Sequence, residues 1–497
     1  MSLNIDNYRS RLEQFEEELN RQLYHFYAGF APRLDLVRCY SNHSDIFSLD
    51  SIRDIESEYN NESFDSRRKS LRKIRDFLID QHLDARLAPL AEETFDFEAQ
   101  QRIVWEGQEL SFLQASLFLK KESDGFKRRN LSERYARQIQ KSESLRIESV
   151  LRLQSAASGL GFKHYAQARE RIGGVEYRKL LDSLDAALQP LEDKYMERLR
   201  ESFEISLGRP FQESGSWDIA YWEMMNDAGQ VFSKVKLLPI VQATVLELGI
   251  LPERPDSVSI DLDSREGKKA GKLCIPIRIP HEIKIVMLPE NGAAQYGTLL
   301  HEIGHAYHFA WTSASLPVEH RIIGDRALSE SYAFLLEHFI RDREWLARML
   351  SFINSKEFLR FQALYRLFLI KRCAGRLRLS IDVFEREAFA GMPEIYSETM
   401  KSYTGLAHQP EFWIQDLADG YYSADYLRGW MCESMLREYL QTRFGNSWIM
   451  SRAAAGFLKE IWETGQLYRA DELCREIGIG DLNPQALVDE IAEGLKS

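Results

Sequence analysis

The sequence predicts a mainly α fold with one small β-sheet, in a chain long enough for two lobes. Three observations lead there. Apolar residues recur at three-and-four spacing over most of the chain, the pattern of helices with one buried face. Residues 257–292, SVSIDLDSREGKKAGKLCIPIRIPHEIKIVMLPENG, instead alternate Ile, Val and Leu with polar residues between Gly, Pro and Asp, which marks short strands. The 497 residues, 44% of them hydrophobic, suffice for a large core and for more than one lobe.

In chain order, residues 1–206 read as an N-terminal helical lobe. The stretch SRRKSLRKIRDFLIDQHLDARLAPLAEETFDFEAQQRIVWEG reads as continuous helix, and Pro190 is placed to kink or divide a later one. Lys127-Arg128-Arg129 reads as a solvated helix face or loop. GRPFQESGSWD, from Gly208, is a connection rich in Gly, Pro and Ser, and 207–497 is the second lobe. Helix is expected from Tyr221 to Leu248 and again from Ala293 to the end. Pro276 and Pro280 suit an edge strand, since proline lacks the ladder donor.

Composition excludes several classes. A net charge of -12 argues against a nucleic-acid footprint. No apolar run reaches the length of a membrane span, and the first residues show no basic and apolar leader. Cys39, Cys274, Cys373, Cys432 and Cys474 are odd in number and form no CxxC pair, as in reduced cytoplasmic proteins.

The chemistry-bearing motif is LLHEIGHAYHF at 299–309. His301 and His305, four apart, share one helix face, so both imidazoles reach a single ion. Glu302 projects beside that ion, placed to take a proton from a water that the metal activates. A catalytic zinc needs a third protein ligand, and Glu330 lies among apolar residues in RALSESYAFLLEHFIRD, where a carboxylate requires a cation or a donor. Glu337, two turns on, is either an orienting partner for a ligand or an ordinary surface ion pair. One Zn2+ is therefore expected on His301, His305 and Glu330.

These residues resemble the thimet oligopeptidase and oligoendopeptidase F family. Its HExGHxxH is matched by residues 301–308, and its glutamate ligand by Glu330, with residues 306–329 between. Glu337 matches a second acid seven positions on, Gly271-Lys272-Leu273-Cys274 (in AGKLC) a Gly-x-x-Cys segment on the substrate-side strand, and Trp217-Asp218 a Trp-Asp pair. The resemblance spans roughly 217–430 and is weak before it. It implies a two-lobed helical zincin-type peptidase that hydrolyses internal bonds of short unfolded peptides. It also implies tyrosine donors to the oxyanion. DLADGYYSADYLRGW supplies Tyr421 or Tyr422, with Tyr426 behind them, but the family's Tyr-x-Tyr is broken by Ala424. Gly271, His308 and Tyr426 are candidate substrate contacts, although His308 reads equally well as a satisfied helix histidine. His281 and His320 read as exposed turn residues, and Arg278 and Arg428 as surface arginines rather than carboxylate holders.

An extended peptide is expected to add to the edge strand near Lys272–Ile279. Two rivals stand beside this reading. One is a zinc carboxypeptidase or dipeptidase on a related scaffold, which needs a fixed cation for the terminal carboxylate. The other is a non-catalytic peptide-binding protein. The sequence leaves the oligomeric state open.

Overall fold

The computed structural model describes residues 5–269, 271–386, 389–417 and 421–496. Ala270 of the Gly-x-x-Cys stretch and residues 418–420 of the tyrosine stretch lie outside them. The described chain is mainly helical. None of its helices is long and apolar enough to cross a membrane.

Strands β1 (Ile103–Trp105) and β2 (Gln108–Leu110) form a hairpin inside the stretch expected to be helix, which ends at Gln100. The turn carries Glu106 and Gly107 at positive φ, which suits the tight connection of a two-residue hairpin. Pro190 does divide its helix, sitting in a single 3-10 turn between Tyr177–Leu188 and Glu192–Leu207. The helix expected from Tyr221 to Leu248 is two, Ile219–Met225 and Lys234–Leu248.

Strands β3 (Val258–Asp261), β4 (Leu273–Arg278) and β5 (Glu282–Val286) form the expected small sheet in the order β3-β5-β4, so Pro276 does lie on an edge strand. β3 runs parallel to β5 and β4 antiparallel to it. The sheet packs on the helix Ala293–Trp311, which carries the HExxH motif. The first helix, Ile5–Tyr27, lies along β4, where Asn20 donates to the Pro276 carbonyl at 3.1 Å, and its Arg21 pairs with Glu282 of β5 at 3.1 Å.

The interior is not partitioned at residue 206. One large core joins side chains of the first two hundred residues, such as Leu12, Leu78 and Leu199, to Leu367, Leu377, Tyr396, Leu427 and Ile491. A second gathers Val241, Ile285, Leu300, Tyr332, Leu436 and Trp462. The helix Tyr422–Phe444 serves both, the first with Leu427 and Met431, the second with Cys432 and Leu440. Segments remote in sequence thus complete each other's buried faces, which the local pattern does not report.

Glycines set the closest helix approach. A Cβ on Gly304 would lie 2.5 Å from the Ala333 Cα and 2.7 Å from the Tyr332 carbonyl oxygen. That backbone contact brings the HExxH helix against the helix Arg326–Glu337. A Cβ on Gly429 would lie 2.8 Å from the Glu330 Cβ, which allows the helix Tyr422–Phe444 the same proximity on the other side.

Arg128, expected on a solvated face, is 1% exposed. Its guanidinium donates to Asp218 at 2.8 Å, and Arg209 reaches the same carboxylate at 2.5 Å. Asp218 therefore ties the connection after residue 207 to the helix Gly125–Gln140. A buried charge left alone is far costlier than the intact pair. Asp218→Ala should lower stability by about 3–5 kcal/mol, measured as a shift in the denaturant midpoint at unchanged slope.

Candidate metal centre

The HExxH helix begins where Asp227 accepts the Ala294 N–H at 2.8 Å, which satisfies one of the donors orphaned at a helix start. Its i and i+4 histidines point to one side, as the sequence requires. The helix Arg326–Glu337 starts at Asp325, which caps the Ala327 N–H at 3.1 Å. The same carboxylate takes both nitrogens of Arg428, at 2.9 and 2.6 Å. Arg428 is 3% exposed, so it is neither a surface arginine nor a substrate contact but a brace on the helix that presents Glu330.

The three expected ligands converge. The Nε2 atoms of His301 and His305 stand 3.2 Å apart, and the Glu330 oxygens lie 3.3 Å from His301 Nε2 and 3.6 Å from His305 Nε2. Four donors placed about 2.0–2.1 Å from a tetrahedral centre stand roughly 3.3–3.4 Å from one another. The outer nitrogens are both engaged. His301 Nδ1 donates to Glu337 at 3.1 Å, and His305 Nδ1 meets the Ser329 hydroxyl at 2.7 Å. That leaves both Nε2 lone pairs facing a carboxylate in a buried space, with Glu330 Oε2 lacking any hydrogen-bond partner. Such a set repels itself unless a cation sits between its members. The residues therefore fit a metal ion, and His₂Glu is a donor set that zinc takes.

Electrostatics follow from burial and these contacts. Burial opposes charge on His301, yet Glu330 and Glu337 raise it well above 6.5, while burial pushes His305 down to about 4. Against burial, His301 and Arg341 hold Glu337 at about 2. Glu337 is thus no ordinary surface pair. It links His301 to Arg341, whose Nη1 donates to it at 3.1 Å. Glu302 lies beside the ligands without joining them. Burial raises its carboxyl to about 7, and it accepts the main-chain N–H of Cys274 on β4. A bound dication would pull that value back down.

The remaining candidates separate. Tyr422 donates its hydroxyl to Glu330 Oε1, so it belongs to the centre. Tyr426 lies one helical turn on, its ring 4.8 Å from that of Tyr422, and faces the cavity beside Glu302. Tyr421 is turned away. Its ring stacks on Tyr177 at 4.4 Å and its hydroxyl donates to the Ser380 carbonyl at 3.2 Å. Adjacent residues at a helix start diverge, so Tyr421 and Tyr422 never shared a side, and Tyr421 drops out as an oxyanion donor.

His308 also drops out as a substrate contact. It is fully buried and donates to the Gly465 carbonyl at 3.1 Å, because three residues after His305 it faces the helix Arg452–Glu463 and the turn beyond it. Gly271 sits against the first helix, where a Cβ would be 2.9 Å from the Tyr27 ring, so its small size answers to packing. His320 is buried near Ser70 rather than exposed, while His281 meets Arg254 at the surface. Ser329 and Asp325, which position ligand and helix, lie outside the residues that the motif names. A serine directly before the Glu330 ligand was the available signal for one, and a capping Asp before the helix for the other.

Two cavities flank the centre. One, of about 420 Å3, reaches His305, Glu330 and Tyr422 from the side of the first helix and carries Glu13, Glu16 and Glu17. The other, of about 430 Å3, reaches His301, Glu302, Glu337 and Tyr426 and carries Lys272 and Arg372. The chain matches no protein-family model and no curated protein.

Metal retention tests the assignment. The purified protein should hold one divalent ion per chain by elemental mass spectrometry, and Glu330→Ala should drop this well below half. Protons compete with the ion for His301, so retention should decline as pH falls from about 8 to about 5.5. A metal content indifferent to both changes would remove these residues from the centre.

Proposed function

We propose that this protein is a zinc-dependent peptidase that hydrolyses internal bonds of short peptides, with Glu302 as general base. The observation that carries the reading is the convergence of His301, His305 and Glu330 with Glu302 beside them and outside the ligand set. A metal held for structure alone has no use for such a carboxylate, which weighs against the non-catalytic alternative. Zinc at this site would polarise a water and the scissile carbonyl.

The protein's own groups divide the remaining work. Glu302, fixed by the Cys274 N–H, is held to accept the water's proton and pass it to the leaving amine. Glu337 and Ser329 hold the imidazoles in the tautomer that turns Nε2 toward the ion. Tyr426 and Tyr422 are the hydroxyls near enough to serve a developing oxyanion. Tyr422 is already committed to Glu330, which favours Tyr426.

Substrate size follows from the walls. Both flanking cavities are clefts, one walled by β4 and the first helix and the other mainly by helices, and their size suits a short extended chain. Main-chain pairing along the whole Lys272–Ile279 edge is not supported. Pro276 has no N–H, its carbonyl is held by Asn20, and the Cys274 N–H is held by Glu302. Side chains lining the cavities, more than strand addition, would seat the peptide.

Three substitutions test the roles. Glu302→Gln should keep the metal and cut peptide turnover by at least about a thousandfold, in the range of a lost base together with its charge. Wild-type rates in that variant would exclude Glu302 as the base. Tyr426→Phe should lower kcat about 10²–10³-fold with little change in KM, whereas Tyr421→Phe should leave both constants as they are.

A further inference from the structure

The cavity on the Glu302 side holds a cation that the metal centre does not use. Lys272 opens the run into β4, two residues before the Cys274 main chain that steadies Glu302. It lines the cavity with Glu223, Asp227, Tyr365 and Arg372. Among the described residues the Lys272 ammonium has neither an ion pair nor a hydrogen bond, and surrounding protein lowers its pKa. The acids nearby are spoken for. Glu223 is hydrogen-bonded to Tyr365, Asp227 caps the HExxH helix, and Glu290 pairs with Lys120 at 3.0 Å.

Arg372 lines the same cavity. It too is poorly matched, its Nη2 3.7 Å from Asp416 and its buried Nε without a partner. Two cations without a close counter-charge thus face one half-open space beside the metal ligands, with Lys272 exposed at its mouth. Donors that no protein acid occupies remain available, and a carboxylate entering the cavity supplies them with charge-assisted hydrogen bonds. The opposite cavity also carries cations, Arg278 and Arg326 among them, but Glu13, Glu16, Glu17, Asp76 and Asp80 line it as well.

We propose that the Lys272–Arg372 cavity is a subsite for a substrate carboxylate, with Lys272 as its main determinant. The proposal rests on the peptidase reading for its name of substrate, but its recognition chemistry stands apart from turnover. The carboxylate is either the peptide's C-terminus or an acidic side chain. The first source would give the exopeptidase alternative the fixed cation it needs.

The test is calorimetric titration of full-length protein stripped of metal, so that no peptide is consumed. Three short peptides of one sequence serve as probes: the free acid, its C-terminal amide, and the amide with one internal glutamate. The free acid should bind about tenfold tighter than the amide, the loss of one charge-assisted contact. Recovery of that tightness by the glutamate peptide identifies a side chain as an accepted source, and its absence restricts the site to the C-terminus. Lys272→Met should bring the acid-to-amide ratio close to one, while Lys272→Arg should keep most of it. A purely structural role for Lys272 would weaken all probes alike and leave the ratio standing, which overturns the proposal. Equal binding of acid and amide, or no binding of either, overturns it too. Cleavage of the same peptides after zinc is restored separates the two claims. Cleavage without acid preference sinks the subsite alone, and acid preference without cleavage sinks the peptidase reading alone.

Discussion

The structure depends on two helix backbones touching. Gly304 lies against the main chain of Ala333 and Tyr332 with no space for a single methyl group between them. Only at that separation can a carboxylate on one helix reach two imidazoles on the other within 3.3–3.6 Å. Gly429 repeats the device on the far side of Glu330 and brings Tyr422 to its oxygen. Helix propensity would favour alanine over glycine by about 1 kcal/mol at an interior position. Here the contact atoms are backbone, which cannot rotate aside, so steric exclusion outweighs propensity.

Around this contact, each ligand is held by a neighbouring side chain. His301 is fixed by Glu337, and Glu337 by Arg341; His305 is fixed by Ser329; Glu330 is fixed by Tyr422. Behind Arg341, the buried pairs of Arg366 and Arg437 with Glu433 and Glu490 continue the charge network to the C-terminal helix Gln485–Lys496. Fixed charge near an ion tunes both its affinity and the basicity of its ligands. Residues near the end of the chain therefore share in setting the electrostatics of a motif some two hundred positions earlier.

How much of this the sequence disclosed follows from what a sequence encodes locally. The pairing of His301 with His305 is written in helical periodicity, and Glu330 in the isolation of one acid among apolar neighbours. The small sheet, with Pro276 on its edge, was legible from alternation and proline chemistry. The hairpin at Ile103–Leu110 was legible too, in the Glu-Gly turn between alternating residues, but was hidden by the helical runs around it. Arg128 and Arg428 could not be read. An arginine looks solvated until the fold brings it an aspartate from about a hundred positions away. Tyr421 and His308 failed for a related reason, since which face of a helix meets the cavity is decided by packing against partners that the motif does not name.

The shared interior has a consequence for how this chain must be made. Leu12 and Leu199 complete a core with Leu377 and Ile491, so much of the apolar surface before residue 206 is covered only by later segments. During synthesis the early helices would wait, partly uncovered, until the segment that carries Ile491 leaves the ribosome. A nascent chain in that condition depends on holding factors or on speed, and fragments released by a protease at the connection would be expected to clump unless they found each other first.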